Sequence, residues 1–157
     1  MEKFRSSVAH VGEIETDNSV FIVHSSKDRT IISAVKQALN GVGLRPVFYE
    51  DQPAGIPPAV QISKIIAGSR ALLAFLTPNS LASDTRDWVV FELGIAFSLG
   101  RPIFAWKDKR LRRNQIPRLL SQITTYRDCE STHPLAVTVL IGEVREAARL
   151  ASHHIVC

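Results

Sequence analysis

The sequence lacks several signals that would assign it to a protein class at once. It has only two cysteines, Cys129 and Cys157, which are too few for a disulfide framework or a four-cysteine zinc site. Its first 30 residues contain no apolar segment of the kind found in a secretory signal peptide. The longest apolar runs are about six residues, against the ~20 that a membrane-spanning helix needs. We therefore expect a soluble, cytoplasmic protein with no membrane partner.

Several nucleotide and catalytic motifs are also missing. The loop at 24–28, after the first apolar run, has no glycine, which excludes a P-loop and a Gly-x-Gly-x-x-Gly dinucleotide fingerprint there. No Gly-x-Ser-x-Gly segment is present, so the usual α/β-hydrolase signal is absent. The first and third apolar runs do not end in the aspartates of a phosphorelay receiver. His153, His154 and Cys157 are more typical of a frayed tail than of a metal site, so we expect no metal.

Strand-like and helix-like segments alternate along most of the chain. At 157 residues and 45% apolar, the length and composition suit one globular domain, which we place at 19–157 after an N-terminal extension at 1–18. Apolar runs predict strands, and apolar residues at helical spacing predict helices. The predicted strands are 20–24, 46–49, 71–77, 102–106 and 123–126, and the predicted helices are 29–40, 60–68, 86–99, 117–122 and 134–151.

Apolar strands that alternate with helices are typical of a parallel sheet covered on both faces. We therefore predict a three-layer α/β fold of flavodoxin-like type with about five parallel strands. Ligands of such sheets bind outside the carboxyl ends of the strands. Four predicted loops lie at that edge, and function is expected in them: 24–29, 50–58, 77–86 and 107–116.

The segment 83–96 is the most informative in the chain. Trp88 and Glu92 are four residues apart and so share one face of the predicted helix. A carboxylate so close to the core is costly unless it has partners or a function, although a partly exposed Glu92 packed on Trp88 is the structural alternative. Ser83, Asp84 and Thr85 are candidate N-caps, and the predicted apolar stripe is Val89, Val90, Leu93 and Phe97.

Several segments together resemble a TIR (Toll/interleukin-1 receptor) domain over about 18–108. Residues 19–28 resemble the first TIR motif, a hydrophobic strand followed by a serine-rich loop. Residues 50–57 stand where the family has its BB loop, the loop after the second strand. Residues 76–80 and 88–92 resemble the Ser/Thr-Pro loop and the Trp-Cys-x-x-Glu motif, with Val89 in place of the cysteine and Glu50 in place of an arginine that often precedes the BB-loop aspartate.

This resemblance implies a TIR domain of the microbial type that cleaves NAD⁺ at the nicotinamide–ribose bond, in defence signalling. It makes Glu92 the catalytic candidate and NAD⁺ a substrate rather than a cofactor. It also implies self-association through TIR–TIR contacts. The candidate substrate-binding residues are Ser25, Ser26, Tyr49, Asp51, Ser83 and Trp88, for which helix capping, turn formation or core packing are the structural alternatives.

Two other functions compete with NAD⁺ cleavage. A non-catalytic TIR adaptor would assemble through the BB loop, with Pro53, Gly55, Pro57 and Pro58, and Glu92 would then be structural. A nucleoside deoxyribosyltransferase-like enzyme would share the layout and the glycosidic chemistry but act on free nucleosides.

The net charge of +4 is weak evidence for a nucleic-acid partner, because it comes from one segment of the chain. The segment 107–118 carries +5, so the rest of the chain is nearly neutral, and no aromatic side chains interleave with the basic ones as nucleic-acid binding would require. We therefore expect either a solvated loop or a contact with an anion, such as the NAD⁺ phosphates or an acidic patch of a neighbouring protomer. The basic residues are Lys107, Lys109, Arg110, Arg112, Arg113 and Arg118.

Overall fold

A computed structural model describes residues 18–51, 55, 57–118, 120, 126–129 and 142, with the backbone alone at 51 and 126–129. Strands and helices alternate through these residues as predicted. The strands are β1 (Ser19–Val23), β2 (Arg45–Val47), β3 (Ala71–Leu76), β4 (Ile103–Asp108) and β5 (Tyr126–Cys129). The helices are α1 (Arg29–Gly41), α2 (Pro58–Gly68) and α3 (Arg86–Ser98), and two short 3₁₀ turns lie at Tyr49–Asp51 and Arg113–Gln115.

The five strands form one parallel sheet in the order β2-β1-β3-β4-β5. This arrangement confirms the predicted α/β flavodoxin-like class and its five strands. The chain leaves β1 towards one edge to form β2 and then returns past β1 to form β3. The carboxyl ends of β1 and β3 therefore flank the topological switch point, where ligands bind in sheets of this kind.

Alternate side chains of each strand supply two cores, one on each face of the sheet. Val20 and Ile22 point to the face covered by α1, whose Val35 and Leu39 are fully buried. Phe21 points to the opposite face, which α2 and α3 cover. Burial on both faces explains why the strands read as continuous apolar runs. Of the predicted helix at 134–151 only residue 142 is among the described residues, and of 117–122 only 117, 118 and 120, with 118 and 120 helical. Residues 1–17 of the predicted extension lie outside the described part.

Three strands end two or more residues away from the predicted end. β2 ends at Val47, so Tyr49 lies in the following 3₁₀ turn rather than in the strand. β4 continues to Asp108 instead of ending at 106. β5 continues to Cys129 instead of ending at 126, and 123–125 lie outside the described residues. β2 and β5 lie at sheet edges, where a strand pairs on one side only and need not be a continuous apolar run.

The ends of α1 and α3 depend on two glycines in the left-handed region. Gly43, with φ of 77°, follows α1, which ends at Gly41, one residue beyond the predicted end. Gly100, with φ of 66°, follows α3, and Arg101 N donates to Ala96 O at 2.9 Å. This bond closes the end of the helix around Gly100.

Candidate functional site

A cleft of about 250 Å³ opens at the carboxyl edge of the sheet. It lies beyond β1 and β2, between the first 3₁₀ turn, the start of α2 and the first half of α3. The apolar part of its wall includes Ile22, Ile62 and Val89. The polar and aromatic side chains that line it, among those described, are His24, Tyr49, Glu50, Thr85, Trp88 and Glu92.

Glu92 is a buried carboxyl group of the cleft, with 9% of the residue exposed. Burial, and secondarily the negative charge of Glu50, raises the pKa of Glu92 to about 8. No hydrogen bond joins its carboxyl group to another described residue. In the empty cleft Glu92 therefore carries a proton at neutral pH, and a cation placed beside it would favour the ionised form.

The sequence of α3 explains why Glu92 points inward. The buried positions of the helix are Val89, Glu92, Leu93 and Ala96, so the glutamate lies on the core-facing side, at the edge nearest Trp88. The predicted apolar stripe is wrong at Phe97, which is 60% exposed, and Val90 is only half-buried. Because α3 has apolar residues on several sides, its pattern alone does not select one of them.

Trp88 and Tyr49 form the aromatic part of the cleft wall. Trp88 is 44% exposed and packs edge-to-face against Phe91, with ring centroids 5.8 Å apart. It is therefore a surface aromatic that lines the cleft, not a core side chain. Tyr49 is partly buried in the 3₁₀ turn that Asp51 ends, but the side chain of Asp51 lies outside the described part of the structure.

Three predicted binding residues stand apart from the described cleft lining. Ser25 is buried, and its hydroxyl accepts a hydrogen bond from the Lys27 amide at 3.3 Å. Ser26 is exposed just before α1, and Ser83 is exposed in the loop before α3. Their role in binding stays a prediction.

Three polar residues of the described cleft lining were not predicted from the sequence as site residues, namely Thr85 and the contacting pair His24 and Glu50. His24 Nε2 lies 3.3 Å from Glu50 Oε1, and its Nδ1 lies 3.2 Å from the carbonyl oxygen of Ile22. The signal was available for His24, because it directly follows β1 at the edge where ligands bind. Glu50 was noted only as a departure from the family pattern, and its position depends on β2 ending early.

A hydrogen-bond network joins the loops that follow β1 and β3. Thr77 Oγ1 donates to Asp28 Oδ2 at 2.6 Å, and Asn79 Nδ2 donates to Asp28 Oδ1 at 2.7 Å. Asp28 stands at the N-cap position of α1, but it makes no side-chain capping bond. Thr85, at the N-cap of α3, likewise donates its hydroxyl to the carbonyl oxygens of Asn79 and Ser80 instead of capping. These side chains fix the loops beside the cleft.

The basic segment is partly neutralised within itself. Asp108 is buried, and it accepts hydrogen bonds from the exposed Arg110 guanidinium, the shortest at 2.6 Å. This contact holds the pKa of Asp108 below its ordinary value. Arg112 and Arg113 are exposed at the second 3₁₀ turn. Among the residues with known placement, no group of three or more His, Cys, Asp or Glu side chains is arranged to hold a metal ion.

Comparison with known proteins identifies both the family and the fold. A family model described as "TIR domain" matches residues 20–134. A flavoprotein from Thermotoga maritima has a TM-score of 0.62 at 15% identity, with 86% of this chain and 37% of that chain covered. A metazoan TIR-STING receptor from C. gigas has a TM-score of 0.59 at 18% identity, with 86% and 43% covered. A search of curated proteins found no match.

A diflavin flavoprotein from Nostoc sp. has a TM-score of 0.56 at 12% identity, with 88% of this chain and 94% of that chain covered. At these identities the structural likeness shows the fold alone. The chain spans less than half the length of the Thermotoga maritima and C. gigas proteins. In the part of the chain that the structure covers, none of the helices is long and apolar enough to cross a membrane.

Proposed function

The chain belongs to the TIR domain family, and from this membership and the buried carboxyl group of Glu92 we propose that it cleaves the nicotinamide–ribose bond of NAD⁺. The single observation that carries the proposal is Glu92 itself. It is the protonated, desolvated carboxyl group of a cleft at the ligand-binding edge of the sheet. Burial of such a group destabilises the fold, and its carboxylate would stabilise a cationic substrate bound beside it.

The chemistry requires one carboxylate beside the ribose. Nicotinamide in NAD⁺ is a cation, so it leaves as a neutral base and needs no general acid. Positive charge then develops on the ribose, as it does in glycoside cleavage. The pyridinium ring of bound NAD⁺ favours loss of the Glu92 proton, and the resulting carboxylate stabilises the developing cation in a site with little water.

The dimensions of the cleft suit one end of the dinucleotide. About 250 Å³ is below the ~300–1,000 Å³ of pockets that enclose a drug-sized ligand. Nicotinamide and its ribose would occupy the cleft, with Trp88 and Tyr49 against the flat pyridinium ring. The diphosphate and adenosine would extend along the sheet edge. In this proposal Ser25, Ser26, Asp51 and Ser83 are the contacts for that remainder.

Self-association is part of the proposal, and the exposed apolar side chains of α3 support it. Trp88, Phe91 and Leu99 share one side of the helix and Phe97 lies on the opposite side, and each is more than a third exposed. Exposed apolar surface of this kind is typical of interaction sites. The same surface supports the alternative of a non-catalytic adaptor. The BB-loop residues at 52–54 and 56 lie outside the described residues, so the exposed side chains of α3 are the observation that favours assembly. For both functions, NAD⁺ cleavage and the adaptor, we propose a cytoplasmic protein of microbial defence signalling.

Nicotinamide release by the purified protein tests the proposed activity. The protein is incubated with NAD⁺ when dilute, when concentrated and with a crowding agent, and the products are identified by mass spectrometry. We expect cleavage by the wild type and a loss of at least about 100-fold in Glu92→Gln, because the cation then loses its carboxylate. The exposed Asp84→Asn is the matched control and should cleave NAD⁺ like the wild type.

Two results would decide against the proposed chemistry. Equal nicotinamide release by the wild type and Glu92→Gln would remove Glu92 from the mechanism. A concentrated wild-type protein that assembles but releases no nicotinamide would favour the adaptor. Mass spectrometry also distinguishes ADP-ribose from a cyclic isomer.

A further inference from the structure

The contact between His24 and Glu50 has no part in the role given to Glu92, although both residues line the same cleft. The carbonyl oxygen of Ile22 can only accept a hydrogen bond, so His24 Nδ1, at 3.2 Å, carries a hydrogen. His24 Nε2 faces a carboxylate oxygen at 3.3 Å, which also only accepts. The backbone therefore holds one side of the imidazole ring, and Nε2 on the other side faces Glu50.

The surroundings of the pair fix the imidazole and leave the carboxylate accessible. The His24 side chain is 7% exposed, and its ring packs edge-on against Phe48 with centroids 5.1 Å apart. The Glu50 side chain is 51% exposed at the mouth of the cleft, where water reaches it. The described charges that act on Glu50 are His24 and, more weakly, Lys36 of α1. Its hydrogen bond to His24 holds the pKa of Glu50 below the ordinary value, so the carboxylate is ionised at neutral pH.

From this geometry we propose that Glu50 is a second catalytic residue, the general base for the water that attacks the ribosyl cation, with His24 as its positioning residue. The inference rests on the proposed NAD⁺ cleavage and adds to it the group that accepts the proton. The two carboxylates of the cleft then have separate roles, as the two carboxylates do in glycoside hydrolysis. The buried Glu92 stabilises the cation, and the exposed Glu50 meets the water.

The reaction balances without another reactant. The bond between ribose C1 and the nicotinamide nitrogen breaks, and its electron pair neutralises the pyridinium charge. The water oxygen forms the new bond to C1 and loses one proton to the Glu50 carboxylate, which returns it to solvent. The products are nicotinamide, ADP-ribose and one proton. A carboxylate that is only weakly basic suffices, because water bonded to a cationic carbon is a strong acid.

A nucleophile that has no proton to lose separates this role from a structural one. Wild type, Glu50→Gln and the control Asp84→Asn are incubated with NAD⁺ and 3-acetylpyridine. Hydrolysis is measured as ADP-ribose, and base exchange as the acetylpyridine dinucleotide. The pyridine nitrogen attacks through its lone pair and needs no base. Because a general base contributes about 10²–10⁴-fold, we expect the ratio of exchange to hydrolysis to rise at least tenfold in Glu50→Gln and to stay unchanged in Asp84→Asn.

The outcomes distinguish the two levels of the proposal. Equal proportional losses of hydrolysis and exchange in Glu50→Gln would overturn the role of Glu50 and leave cleavage through Glu92 in place. A wild type that performs neither reaction would overturn the proposed function and, with it, this role.

Nitrogen-15 NMR of the histidine rings in the NAD⁺-free protein supplies a readout that needs no turnover. We expect the His24 Nδ1 to be protonated in the wild type, and a His24→Asn variant identifies its signals. A bare Nδ1 would overturn the backbone hydrogen bond that orients His24 towards Glu50, and with it the positioning role of His24.

Discussion

Replacing Glu92 with glutamine should stabilise the protein while it removes the proposed activity. The folded-state pKa of about 8 lies well above the ordinary 4.5. Between these values the unfolded chain has released the Glu92 proton and the folded chain still holds it. Stability therefore falls as pH rises through this interval, and the loss is complete above the folded-state pKa. Glutamine keeps the shape of the protonated side chain and does not titrate.

The size of the effect follows from the two pKa values. One pKa unit corresponds to ~1.4 kcal/mol. By this linkage Glu92 costs the folded state about 0.8 kcal/mol at pH 5 and about 3 kcal/mol at pH 7. The buried amide adds its own contribution, but that contribution is the same at both pH values. The stability advantage of Glu92→Gln over the wild type should therefore grow by about 2–3 kcal/mol between pH 5 and pH 7.

Urea unfolding followed by circular dichroism at several pH values measures this difference. The wild type, Glu92→Gln and Asp84→Asn are compared, and every other titrating group cancels between them. Asp84 is exposed, so its variant should follow the wild-type curve. If the stability curves of wild type and Glu92→Gln ran parallel from pH 5 to pH 8, the carboxyl group would not be held protonated by burial, and the electrostatic argument for the site would fail.

Two other changes test the surroundings of the cleft. Thr77→Val removes a buried hydroxyl that donates to Asp28 at 2.6 Å, so unfolding experiments should show a loss of about 1–3 kcal/mol, whereas no loss would mean that the bond between the loops is unimportant. Arg110→Ala removes the guanidinium that holds the pKa of Asp108 low. The contact of Arg110 with Asp108 stabilises the fold fully above the unfolded-state pKa of Asp108, and this stabilisation is lost as pH falls through the lower folded-state pKa. The variant should be less stable than wild type at pH 7, with the difference shrinking as pH falls towards 3, and a difference independent of pH would show that the lost interaction is not ionic.

The core of the fold was predictable because its strands are buried on both faces. Ala71–Leu76 is apolar at every position, so its place in the sheet follows from composition alone. The edge strands β2 and β5 were placed less well, because backbone pairing decides their ends. Phe97 was misassigned because α3 is apolar on more than one side, and only the packed structure shows which side faces the sheet.

The candidate site was predictable where one helix carries it and not where separate loops meet. Trp88 and Glu92 lie one turn apart, so their common position in the cleft follows from helical spacing. His24 and Glu50 are 26 residues apart and meet only because β1 and β2 are neighbours that end at the same edge. Ser25, Ser26 and Ser83 were predicted as binding residues from their loop positions, which do not determine the direction of a side chain.

The hydrogen bonds that Asp28 accepts from Thr77 and Asn79 restrain one side of the cleft entrance. The segments after β1 and β3 are held together across the switch point, so neither can swing outward without breaking a buried hydrogen bond to a carboxylate. A ligand larger than the cleft would therefore be accommodated on the other side, where the side chains of Glu50 and Trp88 are half-exposed. We therefore expect substitutions in the turn after β2 and in the first turn of α3 to change ligand specificity most.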